Sequence, residues 1–302
     1  AAFSMMMDAS SSVSVLRGVL LDQSLEIATR TRSAFWLRER GSEAARSALC
    51  EAVAVKGDSL LLRHEIAYIL GQLGHEDAVE TLCGILRDES DAPIVRHEAA
   101  EALGAIGKGT ETLERYVDDP RSEVADTCRL ALELIKWRRD HDTRDNASRS
   151  KDPAPPAEDR NVDTLSEVLL GGGSELDSSS SPSLWEKYRA MFALREIGSE
   201  EAVAALAKAV ALPHLRSDLL RHELAFVLGQ LADAGARHAL EAVLRDTTMH
   251  AMVRHEAAEA LGALDHDPTV KDLLRTFAHD DDHVVKQSCE VALDAMAYYA
   301  VN

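Results

Sequence analysis

Apolar positions along the chain recur with the period of a helix. Leu62, Ile66, Ile69, Leu70 and Leu73, placed at 100° per residue, fall in a stripe less than a third of the circumference wide. The stripe stops at Gly74, and a shorter apolar pattern follows up to residue 86. This plan of two short helices around a glycine turn predicts helix pairs at 33–53, 60–86 and 94–117, with a further unit at 123–137. It returns at 186–210, 219–244, 252–277 and 284–296, and an isolated apolar helix is expected at Val13–Leu21.

Four of these helices carry nearly one peptide: LLRHEIAYILGQL, IVRHEAAEALGAI, LLRHELAFVLGQL and MVRHEAAEALGAL. The spacing is 97 − 64 = 33 and 255 − 222 = 33, and both members of the first pair return 158 residues later. Helix pairs repeating near this period predict an α-solenoid, each pair burying its stripe against its neighbours. The HEAT class is the closest fit. A tetratricopeptide array has a similar period, but its Trp…Gly…Tyr signature is missing. The expected fold is all-α, a solenoid of HEAT-like helix pairs in two pseudo-symmetric four-repeat halves, 13–137 and 184–302. Such arms can face each other about a pseudo-twofold axis. Residues 138–183 read as a linker: a charged, proline-bearing run to 160, a helix candidate at 162–170, and a Gly/Ser-rich flexible insert at 171–183. Residues 1–12 read as a disordered start or an expression remnant.

Composition agrees with helices, since aromatics are only 4% and Ala and Leu abound. The formal charge of −19, from 33 basic and 52 acidic side chains, repels nucleic acid and anionic membranes and attracts a basic partner. Cys50, Cys83, Cys128 and Cys289 stand singly, as reduced thiols do in a cytoplasmic protein. No apolar run approaches the ~20 residues that span a bilayer.

The repeated doublets are His64-Glu65, His97-Glu98, His222-Glu223 and His255-Glu256. Histidine and carboxylate together hold transition metals. His64 lies about 200° from Leu62, off the main apolar stripe. Inner solenoid helices lie ~8–10 Å apart, so His64 can lean toward His97, and His222 toward His255. Two imidazoles and a carboxylate with open positions form the ligand set of non-haem Fe(II) oxygen chemistry, and zinc accepts the same atoms for hydrolysis. Two half-sites facing each other would make a dinuclear centre with metals ~3.5–4 Å apart. Helical geometry leaves the carboxylates open between Glu98 and Glu256, as doublet members, and Glu101 and Glu259, which share a face with His97 and His255. Gly71, Gly104, Gly229 and Gly262 lie two turns along that face. They either let a long substrate pass close by or ease helix packing. Arg63, Arg96, Arg221 and Arg254 precede the histidines and read as structural, pairing in ladders with Asp58, Asp91 and Asp218 nearby.

The chain resembles the deoxyhypusine hydroxylase family in LLRHE…LGQL, MVRHEAAEALGA, DPAPPAE at 152–158, YRAMFALR at 188–195 and CEVALD at 289–294. The likeness runs from residue 13 to 296 outside the Ser/Gly insert. It implies a di-iron monooxygenase that hydroxylates the deoxyhypusine side chain of eukaryotic translation initiation factor five-A, completing hypusine synthesis, with O₂ as co-substrate and an external reductant. By the resemblance His64, His97 and Glu98 hold one Fe(II) ion and His222, His255 and Glu256 the other. Glu65 and Glu223 then meet the cationic substrate. One chain supplies both sets, so a monomer is expected. The competing readings are a non-catalytic HEAT scaffold, a bilin lyase relative and a dinuclear zinc or manganese hydrolase. A scaffold has no need of histidine at one face position in both halves.

Overall fold

The computed structural model describes residues 10–141, 151–171, 182–212, 215, 217–264 and 268–299. The sequence expectations for 1–9, 142–150 and 172–181 lie outside the described residues. The chain divides into two compact units, Ala1–Pro153 and Ala154–Asn302. Among the described residues there is no strand, and the fold is an all-α HEAT-repeat fold.

The first unit holds α1 (Val13–Leu21), α2 (Ile27–Arg40), α3 (Glu43–Val53), α4 (Leu60–Leu73), α5 (Val79–Arg87), α6 (Pro93–Ile106), α7 (Thr110–Arg115) and α8 (Ser122–Asp140). Even-numbered helices form a row in which α2 packs on α4, α4 on α6 and α6 on α8, and each odd-numbered helix packs on the even one after it. The second unit repeats this with α9 (Val162–Leu170), α10 (Leu184–Ile197), α11 (Glu200–Val210), α12 (Asp218–Leu231), α13 (Arg237–Arg245), α14 (Ala251–Leu264), α15 (Pro268–Phe277) and α16 (His283–Tyr299). Its inner row runs α10, α12, α14, α16.

The segment read as a linker is more structured than its composition suggests. α8 runs on to Asp140, and α9 packs against α10 and α11 as α1 packs against α2 and α3. Residues 151–157 are tied by polar contacts: Lys151 exchanges backbone bonds with the Gln72 side chain, and Ala157 N–H donates to the Arg189 carbonyl.

Helix boundaries follow local chemistry. Ser12, Ser42, Ser59, Ser199 and Ser217 each accept a hydrogen bond from a first-turn N–H, satisfying donors that helix starts leave open. Ser183 and Glu186 form a reciprocal capping box on α10. α4 ends on Gly74 at φ 69°, whereas α12 ends on Ala232 at φ 49°, a left-handed conformation that disfavours a Cβ.

Two devices lock the rows. The first is a Gly–Ala contact. A Cβ built on Gly71 would lie 2.8 Å from the Ala102 Cα, and one on Gly229 would lie 3.0 Å from the Ala260 Cα. Gly104 meets Ala131 and Gly262 meets Ala292 in the same way. These glycines are therefore filled by the next inner helix, which favours packing over substrate passage. The second device is an arginine ladder. Arg63 donates to the Val53 carbonyl and, through both terminal nitrogens, to Asp91 at 2.7 and 2.6 Å. Arg96 joins the Leu86 carbonyl to Asp119, and Arg254 joins the Leu244 carbonyl to Asp280. Asp58 belongs to Arg30, which also holds the Leu20 carbonyl. Arg221 is the exception: it donates to the Leu212 carbonyl, and Asp218, one turn before it on its own helix, stands 3.8 Å away. Each buried guanidinium thus ties an inner helix to the carbonyl end of the helix before it, where the helix dipole favours a cation.

Candidate metal centre

The four doublets sit in the second turn of α4, α6, α12 and α14, with an arginine rung immediately before each histidine. All eight side chains are buried, and His97 and His255 are fully so. His64 is off the main apolar stripe yet is 3% exposed. The reason is that α4 is packed by α2 and α6 on its flanks and by α3, so a wheel drawn for one helix counts only one of its buried faces.

Within the first unit the His64 and His97 rings face each other with centroids 5.5 Å apart, tilted by 44°. Glu98 reaches across from α6 so that its Oε2 is 3.2 Å from His64 Nε2. One donor atom from each of His64, His97 and Glu98 lies within 4.8 Å of the others, all in buried residues. Burial alone would make the His64 ring less basic, but the carboxylates of Glu98 and Glu65 outweigh it and raise its affinity for a proton well above the ordinary value. A buried pocket that draws a cation onto an imidazole suits a metal ion, which competes for the same lone pair. The donor set fits a divalent transition metal: two nitrogens and one carboxylate oxygen, leaving positions open.

The second unit repeats the ring pairing and the carboxylate that reaches across from the next inner helix. The His222 and His255 centroids are 5.3 Å apart at 39°, and Glu256 Oε2 is 3.4 Å from His222 Nε2. The glutamates of the later doublets are therefore the ones brought to the Nε2 side of the earlier histidines.

The remaining carboxylates are placed differently. Glu65 Oε1 lies 3.1 Å from His64 Nδ1, on the opposite edge of the ring from Glu98. Glu223 is buried at 2% exposure. Glu259 stands on the Nδ1 side of His255, 3.7 Å away, and accepts a 2.9 Å hydrogen bond from Ser288. Sequence reasoning did not single out Ser288, because α16 carries no doublet to mark it. Tyr68, one turn after His64, has its hydroxyl made more weakly acidic chiefly by burial; Arg38 opposes this, and Glu65, Glu98 and Glu101 add to it. Cys83, Cys128 and Cys289 are buried free thiols and Cys50 is half-buried. Burial pushes the thiols of Cys128 and Cys289 up to about 12, so they remain protonated. No described helix is long and apolar enough to cross a membrane.

The family of HEAT repeats matches residues 13–104, 54–133 and 211–294, and the PBS lyase HEAT-like repeat matches 186–211. Deoxyhypusine hydroxylase of Homo sapiens is 44% identical over 286 residues, covering 93% of this chain and 90% of that protein. Deoxyhypusine hydroxylase of Danio rerio is 41% identical over 294 residues, covering 95% and 92%. The solved structure of human deoxyhypusine hydroxylase in complex with glycerol superposes with a TM-score of 0.86 at 42% identity, covering 98% of each chain.

Proposed function

The chain belongs to the deoxyhypusine hydroxylase family, and from that premise we propose that it hydroxylates the deoxyhypusine side chain of eukaryotic translation initiation factor five-A in an iron- and O₂-dependent reaction. The observation that carries this reading is the buried two-histidine, one-glutamate set present in each half. His64, His97 and Glu98 would hold one Fe(II) ion and His222, His255 and Glu256 a second. Bound ferrous iron supplies the one chemistry the side chains lack, activation of O₂ for insertion into an unactivated C–H bond, and an external reductant supplies the electrons.

The chain's own groups do the rest. The substrate arm is a flexible polyamine-like cation, so anionic groups must capture and orient it. Glu65 and Glu223 are the carboxylates we assign to this. Glu65 can receive the His64 Nδ1 proton on one oxygen and an ammonium on the other, which would couple ring orientation to substrate binding. Orientation matters because it decides which carbon reacts, and a misplacement of about 1 Å can cost ~100-fold in rate. The formal charge of −19 adds long-range attraction for a basic partner. A cytoplasmic monomer fits this reading, since the substrate belongs to the translation machinery and one chain carries both ligand sets.

The test is to incubate the iron-loaded chain, O₂ and a reductant with deoxyhypusine-bearing factor and to look for one added oxygen by mass spectrometry. Product that forms in the wild type and disappears in His64→Ala and His255→Ala supports the assignment. An inactive wild-type chain that folds without binding metal would instead return the reading to a scaffold.

A further inference from the structure

The second unit contains a polar chain behind His255 that no metal ligand accounts for. Ser288, on α16, is fully buried. Its hydroxyl donates to Glu259 Oε1 at 2.9 Å, and Ser288 Oγ lies 3.5 Å from His255 Nδ1. Glu259 itself is 3.7 Å from that nitrogen. A serine hydroxyl has one proton and two lone pairs. With the proton committed to the shorter contact with the carboxylate, the oxygen faces Nδ1 as an acceptor. This geometry suits the tautomer with the hydrogen on Nδ1, giving an order of donation from His255 Nδ1–H to Ser288 Oγ–H to Glu259.

We propose that Glu259 and Ser288 are positioning residues that hold His255 in its Nδ1–H form and so keep Nε2 as the ligand nitrogen. The proposal rests on the reading of His255 as a metal ligand and adds the groups that orient it. Ligating histidines generally donate their other ring hydrogen to an oxygen acceptor, which fixes tautomer and ring angle. The carboxylate one turn along the helix is thus an orienting group on the far edge of the ring, while Glu256 faces the Nε2 side of the neighbouring His222.

The corresponding helix of the first unit is wired otherwise. α8 and α16 hold equivalent places in their own units, since Gly104 meets Ala131 as Gly262 meets Ala292, which makes Thr127 the positional counterpart of Ser288. The Thr127 hydroxyl donates within its own helix, to the Glu123 carbonyl at 2.7 Å. Thr127→Val is therefore a matched control for loss of a buried hydroxyl.

The experiment compares wild type, Ser288→Ala, Ser288→Thr, Glu259→Gln, Thr127→Val and His255→Ala in two measurements. The first is Co(II) affinity with its ligand-field spectrum. The second is the ¹⁵N spectrum of the histidine rings in the metal-free chain, with His255 assigned from its variant. The expected result is a fall in affinity of about 10- to 100-fold in Ser288→Ala and Glu259→Gln, a shift of the His255 ring away from the Nδ1–H form, and recovery of both in Ser288→Thr. Unchanged affinity and tautomer in Ser288→Ala and Glu259→Gln, with metal lost in His255→Ala, overturn the positioning role and leave the ligand assignment standing. An equal fall in Thr127→Val shows general helix loosening and also overturns it. Metal retained in full by His255→Ala overturns the ligand reading itself, and the positioning role with it.

Discussion

Glu98 Oε2 stands 3.2 Å from His64 Nε2 across the seam between α6 and α4, and the pair is buried on both sides. The contact crosses from one repeat to the next, so neither residue's own helix would disclose it.

That relationship predicts how the carboxylates divide. Glu98→Gln keeps the side-chain volume and removes the anion, so the first ligand set should lose its metal while the second keeps it. Metal content per chain, read by elemental mass spectrometry, should drop by one equivalent with the helical circular dichroism unchanged. Glu101→Gln should leave metal content unaltered. Equal content in Glu98→Gln and wild type would remove Glu98 from the ligand set.

The arginine ladder should dominate stability. In Asp91→Asn the Arg63 guanidinium keeps its bond to the Val53 carbonyl but loses its buried counter-charge. Breaking such a pair costs about 3–5 kcal/mol, to be read from the urea midpoint. The same rungs set the acid limit. Burial alone would raise the carboxyls of Asp58 and Asp91, but their arginines and a backbone N–H apiece bring them below the ordinary value, and Arg254 does this for Asp280. The unfolded chain therefore binds protons at higher pH than the folded chain. The contribution is complete above the unfolded value of roughly 4 and is lost as pH falls through the lower folded values. Acid unfolding of Asp91→Asn should be less steep than wild type over that window; identical steepness would refute the linkage.

Gly71 is predicted to tolerate no side chain. Gly71→Ala drives a Cβ against the Ala102 backbone at 2.8 Å, so α4 and α6 must part. Overpacking of this kind costs about 1–3 kcal/mol. It should also loosen the His64–His97 pair two turns away, seen as weaker metal binding. Adding Ala102→Gly removes the Cβ contact but leaves the backbone clash, so it should restore only part of the stability.

Ala232 offers the opposite outcome. It closes α12 at φ 49°, the place Gly74 takes on α4. A Cβ in this conformation costs roughly 1–2 kcal/mol, so Ala232→Gly should stabilise the fold by about 1 kcal/mol after the flexibility of glycine in the unfolded chain is counted, seen as a raised melting temperature. A lowered melting temperature would contradict the strain.

Much of this was legible beforehand, and the reasons are local. Leu62, Ile66, Ile69 and Leu70 all lie at 1% exposure or less, because an apolar stripe of helical period is driven out of water against the neighbouring helices. The histidines stood out because duplication kept them at fixed spacing. Their burial did not, since periodicity on one helix carries no information about helices on its other flanks. Arg30 was passed over because Thr31, not His, follows it, although it lies 33 residues before Arg63 and makes the same rung to Asp58. α9 was legible as a helix at 162–170, but not as part of the second unit, because its packing on α10 and α11 depends on contacts that a single-helix pattern does not carry. Ser288 was invisible for a related reason, as its meaning comes only from Glu259 and His255 on the neighbouring helix.

The Gly–Ala seam has a mechanical corollary. With no side chain on Gly71, the α4 backbone lies directly against the Cα and Cβ of Ala102 on α6, and Gly229 and Ala260 do the same for α12 and α14. Helices so engaged mesh like gear teeth: one cannot turn about its axis without carrying the other. A displacement at one doublet would therefore be passed to the histidine on the neighbouring helix as a change of phase and not absorbed as slack.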